Sequence, residues 1–85
     1  MERYKIEFAK TVRKDLRKIP KQDVLRILHA IDRLKEDPRP MDSKRLKGQE
    51  LNRIRSGSYR ILYEIHEGIL LVVVVKVGHR KQGYR

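Results

Sequence analysis

The chain has no cysteine, so neither a disulfide nor a thiolate-bound metal can staple its fold. It also lacks a long apolar run. The longest, Ile69 to Val75, is seven residues, whereas a membrane-crossing helix needs about 20. The opening MERYKIEF has no apolar stretch of the kind an export signal carries, and together with the missing cysteine this fits a cytoplasmic protein. Acidic side chains are scarce: 11 Asp and Glu face 22 Lys and Arg, for a net charge of +11. That balance excludes an acidic buffer or a calcium-binding module and points to polyanionic partners. No Gly-rich phosphate loop, Ser-His-Asp pattern or metal-ligand spacing is present, and the three histidines stand far apart. No metal or cofactor is therefore expected. There is no internal repeat or low-complexity tract.

What remains fits one small domain. Eighty-five residues are too few for two domains, and a chain this short buries about 60–65% of its unfolded surface, so an active site should be a surface groove. Residues 1–85 are read as a single domain. Hydrophobic residues make up 39% of the chain, and their periodic placement argues against disorder.

Tyr4, Ile6 and Phe8 alternate with Lys5 and Glu7, which predicts a short strand. Phe8, Val12, Leu16 and Ile19 then follow at helical spacing, with Lys10, Arg13, Lys14, Arg17 and Lys18 on the remaining faces. Ile19-Pro20 breaks this helix, and Pro20 is suited to the first position of the next. Val24, Ile27, Leu28, Ile31 and Leu34 mark that second helix, ending near Asp37-Pro38. Two helices joined by a tight break predict an antiparallel hairpin. Residues 38–49 read as a loop anchored by Leu46. Three strands follow: Glu50 to Arg55, Tyr59 to His66 after a Ser56-Gly57-Ser58 turn, and Ile69 to Val77 after Glu67-Gly68. Ile69 to Val75 is apolar on both faces and reads as a central strand. The fold class is α+β in the order β-α-α-β-β-β, with the first strand at a sheet edge and the helical hairpin packed on one face of an antiparallel meander. A chain this short leaves the other face open.

The charge is concentrated. Residues 44–85 carry 10 basic and 3 acidic side chains, against 12 and 8 in residues 1–43. Arg53 and Arg55, two apart, share a strand face. The turn brings Arg60 alongside, and Arg80 follows the central strand. Such crowding costs free energy without an anion and gives bidentate hydrogen bonds with a phosphate. The competing reading is neutralisation by Glu50, Glu64 or Glu67. His79 and Tyr84 are the remaining groups for proton transfer, and Tyr84 could instead stack on a base. His29 and His66 read as surface or core-edge residues. If the chain cleaves RNA, the substrate's own 2′-hydroxyl would attack the adjacent phosphate.

Three segments, Arg45-Leu46-Lys47-Gly48, Leu51-Asn-Arg-Ile-Arg-Ser-Gly-Ser-Tyr-Arg-Ile-Leu-Tyr63 and Val77-Gly-His-Arg-Lys-Gln-Gly-Tyr-Arg85, resemble the RelE/ParE toxin superfamily over essentially the whole chain. The resemblance implies a RelE-like microbial ribonuclease-type fold and a toxin of a type II toxin–antitoxin system. It implies a metal-independent endoribonuclease that cuts mRNA on the ribosome, inhibits translation and is neutralised by an acidic, partly disordered antitoxin. DNA would be contacted only through the antitoxin complex. The alternative within the same superfamily is a non-catalytic inhibitor of DNA gyrase. By motif position the catalytic set is Arg53, Arg60, His79, Arg80 and Tyr84: Arg60 as the transition-state arginine, Arg80 at the leaving oxygen, Tyr84 on the substrate base. Lys44, Arg45, Lys47, Arg55, Lys81 and Arg85 are expected to hold RNA and ribosome, and Lys10, Arg13, Lys14 and Arg17 the antitoxin. Leu51 stands where well-known members have a lysine, and the C-terminal helix of some members has no counterpart.

Overall fold

The structure, a computed structural model, describes residues 3–48 and 50–79. In chain order it contains β1 (Lys5–Phe8), α1 (Lys10–Arg17), α2 (Lys21–Asp32), a 3₁₀ turn (Arg33–Lys35), β2 (Lys44–Arg45), β3 (Asn52–Ser56), β4 (Tyr59–His66), a second 3₁₀ turn (Glu67–Ile69) and β5 (Leu71–His79). The strands form one sheet in the order β1-β5-β4-β3-β2. β1 runs parallel to β5, and every other pairing is antiparallel. The helical hairpin covers one face, so the α+β architecture matches the expectation.

Three local expectations change. The segment read as a loop contains β2, which pairs Lys44 with Arg53 and Arg45 with Asn52 and gives the sheet a fifth strand. Pro20 caps α2 with an extended ψ of 141° instead of entering its first turn, and its carbonyl accepts the amides of Asp23 and Val24. The β4–β5 connection is longer than a tight turn. It runs through the 3₁₀ turn to Leu70, a non-glycine residue at φ 51°, which costs about 1–2 kcal/mol. The Leu70 carbonyl accepts the amide of Lys5 at 2.8 Å, which ties this turn to the start of β1.

Apolar periodicity dictates the core. Val12 of α1, Ile27 and Ile31 of α2 and Leu34 of the following turn pack against Ile54, Ile61, Tyr63, Val72, Val74 and Val77 of the sheet. Burial of each such side chain stabilises the fold by about 1.5–3 kcal/mol. Val75 interrupts the β4–β5 ladder: Leu62 pairs with Lys76 but Tyr63 with Val74. This β-bulge changes the parity of β5. Val72 and Val74 face the helices, and past the bulge Val77 faces them too, so Lys76 and Gly78 fall on the open face.

β1 ends opposite Val74, and α1 takes over the edge of β5 beyond it. The Ala9 amide donates to the Val74 carbonyl at 2.8 Å. The Thr11 hydroxyl donates to the Val75 carbonyl at 3.2 Å, and Asp15 Oδ2 accepts the Val77 amide at 3.1 Å. Side chains of one helix thus satisfy backbone groups a sixth strand would otherwise bond. No helix among the described residues is long and apolar enough to cross a membrane.

Candidate functional site

The open face is organised by register. Residues directly opposite in antiparallel strands share a face, with Cβ atoms about 4.5–5.5 Å apart. One row therefore runs Lys44, Arg53, Leu62, Lys76 from β2 to β5, and the next runs Arg55, Arg60, Gly78. Arg53 faces Lys44, and Arg55 faces Arg60. Like charges directly opposite destabilise a sheet, and here two such pairs lie side by side. Arg53 and Arg60 are half-buried and Arg55 is exposed. Leu62 between them is buried, 4% exposed, and is flanked by Arg53 and Lys76 in its own row. Arg53 Nε is shielded from water and meets no hydrogen-bond acceptor among the described residues.

The three nearby carboxylates each contact another side chain. Glu50 takes Arg45 at 3.1 Å, Glu64 takes His66 at 3.0 Å, and Glu67 takes Arg39 at 3.1 Å. The register gathers four cationic side chains, Lys44, Arg53, Arg55 and Arg60, on neighbouring strands of one sheet. A phosphodiester, with its geminal anionic oxygens, is the chemistry they suit.

The other expected site residues divide. Arg45 pairs with Asn52, opposite Tyr63, so it points to the helix side of the sheet. Lys47 is exposed in the turn that the Leu46 amide closes on the Leu51 carbonyl at 2.8 Å. His79 was expected beside the arginines, but it pairs with Tyr59 in the register, and its ring lies on the helix side of β5. There it meets the Tyr59 ring edge-on, centroids 5.7 Å apart at 78°. The bulge at Val75 is the physical reason, because it sets the parity of the end of β5. Arg80, Lys81, Tyr84 and Arg85 lie outside the described residues. Lys10, Arg13, Lys14 and Arg17 are all exposed along α1. Arg13 borders a groove of about 510 Å³ whose apolar floor is Ile6, Phe8, Val12, Leu16 and Leu28, beside β1, the edge strand among the described residues. Phe8 is 42% and Leu28 38% exposed there.

Sequence reasoning missed two buried polar contacts. The Tyr59 hydroxyl donates to Asp23 Oδ2 at 3.0 Å, and desolvation, then this hydrogen bond, raises the tyrosine's pKa. The phenol at this end of the sheet is thus a neutral donor, not a base. The Tyr63 hydroxyl donates to the Pro38 carbonyl at 2.7 Å. Both contacts join residues at least 25 positions apart, beyond any local pattern. Among the described residues, no group of His, Asp and Glu side chains could hold a metal ion.

Known proteins share this fold. The family model for the ParE toxin of the type II toxin–antitoxin system, parDE, matches residues 6–84. Toxin RelG of Mycobacterium tuberculosis is 32% identical over 90 residues, covering 96% of this chain and 97% of RelG. Among solved structures, the archaeal RelE–RelB complex of Pyrococcus horikoshii superposes with a TM-score of 0.82 at 29% identity, covering 94% of this chain and 98% of the other. The intact RelBE toxin–antitoxin complex of E. coli gives 0.78 at 25% identity, covering 96% and 99%. With the fold matched almost end to end and the family model spanning nearly every residue, the chain belongs to the RelE/ParE superfamily of type II toxin–antitoxin toxins, on its RelE-like side.

Proposed function

We propose that this toxin is an endoribonuclease that cuts mRNA on the ribosome and so arrests translation. The observation that carries the reading is the paired rows of cations on the open sheet face, with Arg60 set between Arg55 and Gly78. In the reaction, the 2′-oxygen of one nucleotide attacks the adjacent phosphorus and the 5′-oxygen of the next nucleotide leaves. A 2′,3′-cyclic phosphate and a 5′-hydroxyl result, and one proton moves from the attacking to the leaving oxygen. Arg53 and Arg60 bind the non-bridging oxygens as negative charge grows on them. Preorganised donors of this kind supply much of a catalyst's effect. By the resemblance, Arg80 serves the leaving oxygen and Tyr84 stacks on the base. Lys44, Arg55 and Lys76 hold the flanking phosphates, and their contribution falls as salt rises.

The purified protein added to translating ribosomes should give discrete mRNA breaks by primer extension, while supercoiling by purified DNA gyrase continues. Growth arrest without breaks, accompanied by loss of supercoiling, would transfer the chain to the gyrase-inhibiting class.

The antitoxin, in this reading, lays an amphipathic acidic segment along α1. Its apolar residues enter the Ile6, Phe8, Val12, Leu16, Leu28 groove, and its carboxylates meet Lys10, Arg13, Lys14 and Arg17. Disordered, acidic partners fold onto such surfaces with electrostatic steering. Leu28→Glu should weaken the cognate antitoxin at least about tenfold, since a buried unpaired carboxylate is costly, and leave mRNA cutting intact. Unchanged affinity in titration calorimetry, with no hydrogen-exchange protection over α1, would place the antitoxin elsewhere.

A further inference from the structure

A second cleft lies around the corner from the arginine rows. β1 stops opposite Val74, so the last part of β5 has a helix and not a strand for its outer neighbour. Below the end of α1 this leaves a cleft of about 480 Å³, within the size range of small-ligand sites. One wall is apolar and aromatic: Ile19, Val77 and the Tyr59–His79 ring pair. Lys18 and Lys76 stand at its rim and are both exposed. Its carboxylate, Asp15, is committed through Oδ2 to the Val77 amide, and Lys76 Nζ stands 3.9 Å from Oδ1. Tyr59 is held in place from behind by Asp23.

The position of Gly78 joins this cleft to the open face. Gly78 lines the cleft and lies directly opposite Arg60 in the β4–β5 register. Being glycine, residue 78 adds no side chain to the open face opposite Arg60. A polyanion lying on the Arg55, Arg60, Gly78 row can therefore turn over the edge of β5. It meets two lysines at the rim and the edge-on Tyr59–His79 ring pair within. Among the described residues the open face carries no phenol beside the arginines, because Tyr59 and Tyr63 face the helices, and its imidazole, His66, lies six residues along β4 from Arg60 and contacts Glu64. Apart from the base assigned to Tyr84 by the resemblance, a second base of the strand would find its ring partner, among the described residues near Arg60, in the cleft.

We propose that this cleft is a nucleobase subsite: it receives the base of a nucleotide adjacent to the phosphate held by Arg60, with Lys18 and Lys76 on the intervening backbone. The subsite rests on the ribonuclease reading above, and it makes the Tyr59–His79 pair a determinant of cut-site sequence preference. Stacking on an aromatic surface is sequence-tolerant but sensitive to ring size, so purines should be favoured over pyrimidines.

The test uses 2′-O-methyl hexaribonucleotides, which cannot be cleaved, at low ionic strength, with an abasic residue stepped through each position. Binding is read by fluorescence anisotropy and the ring signals of Tyr59 and His79 by NMR. The abasic position that faces the cleft should weaken binding about 5- to 140-fold, the range of single-base stacking. The Tyr59 and His79 signals should move with the intact oligonucleotide and stay in place with that abasic one. Lys18→Glu should lower affinity about tenfold, and Arg33→Glu, an equal charge change at an exposed site on the turn after α2, should lower it less. If Arg60→Ala loses binding while every abasic oligonucleotide binds alike, or the two ring signals never move, the subsite is wrong and the arginine face survives. If Arg60→Ala binds as tightly as the parent, the phosphate reading fails and the subsite with it.

Discussion

Replacing Arg60 by alanine should leave a folded protein that cuts mRNA about 100- to 1,000-fold more slowly than the parent, the cost of removing one preorganised charge-stabilising donor. The loss is expected to be catalytic because of where the residue sits. Arg60 is in the middle of the open face, across from Arg55 and one row from Arg53. Its side chain is outside the apolar cluster of Val12, Ile27, Ile61 and Val77 that holds helices to sheet. Truncation removes packing of its aliphatic stem but also relieves a like-charge pair with Arg55, so the melting temperature should change by only a few degrees. Arg60→Lys keeps the charge without the fork that grips two oxygens and should recover a minority of the activity. Primer extension on translating ribosomes, with thermal melts of all three proteins, separates the outcomes. Parent-like cutting by Arg60→Ala would remove the arginine face from the reaction.

That face was largely legible in the sequence, because a strand has a period of two and a tight turn fixes register. Tyr59 to His66 occupies the predicted bounds, and Arg53, Arg55 and Arg60 share a side as their spacing requires. Gly57, at φ +58°, begins the two-residue loop that makes this register possible. Lys44 was placed with the phosphate-binding residues but not in a strand. A two-residue strand of lysine and arginine carries no apolar alternation, and only its pairing with β3 defines it. The last strand reads from the sequence as ending at Val77, two residues short of His79, where it ends in the structure. Counting by twos from the buried Val72 and Val74 places Lys76 in the core, while Val77 reads outward. That conflict was visible in the sequence and marks the bulge at Val75, which returns Val77 to the core and takes His79 with it.

Tyr63→Phe should cost about 1–3 kcal/mol at neutral pH, the penalty of leaving a buried carbonyl without its donor, and should remove a step in the pH dependence of stability. The Tyr63 phenol is buried and donates to the Pro38 carbonyl at 2.7 Å. Burial is the main reason its pKa is pushed up from 10.0 to about 12. The unfolded chain therefore gives up this proton near pH 10, and the folded one only near pH 12. Between those values the folded state binds more protons than the unfolded state, so stability falls as pH rises. The contribution is whole below pH 10 and is lost by pH 12, a difference of about 3 kcal/mol for two pH units. Every other group is the same in both proteins, so the difference between parent and variant isolates Tyr63. Urea unfolding at intervals from pH 7 to 12 should show the parent's advantage shrinking above pH 10. A constant difference across the series would mean that the phenol is not held as the structure shows. The same bond has a functional consequence. Pro38 begins the segment that leads through Ser43, whose hydroxyl donates to the Pro40 carbonyl at 2.7 Å, into β2, and β2 is what sets Lys44 against Arg53. Loosening it should weaken RNA binding through Lys44, so Tyr63→Phe should bind the uncleavable hexaribonucleotide less tightly than the parent, and Lys44→Ala combined with Tyr63→Phe should bind no worse than Lys44→Ala alone.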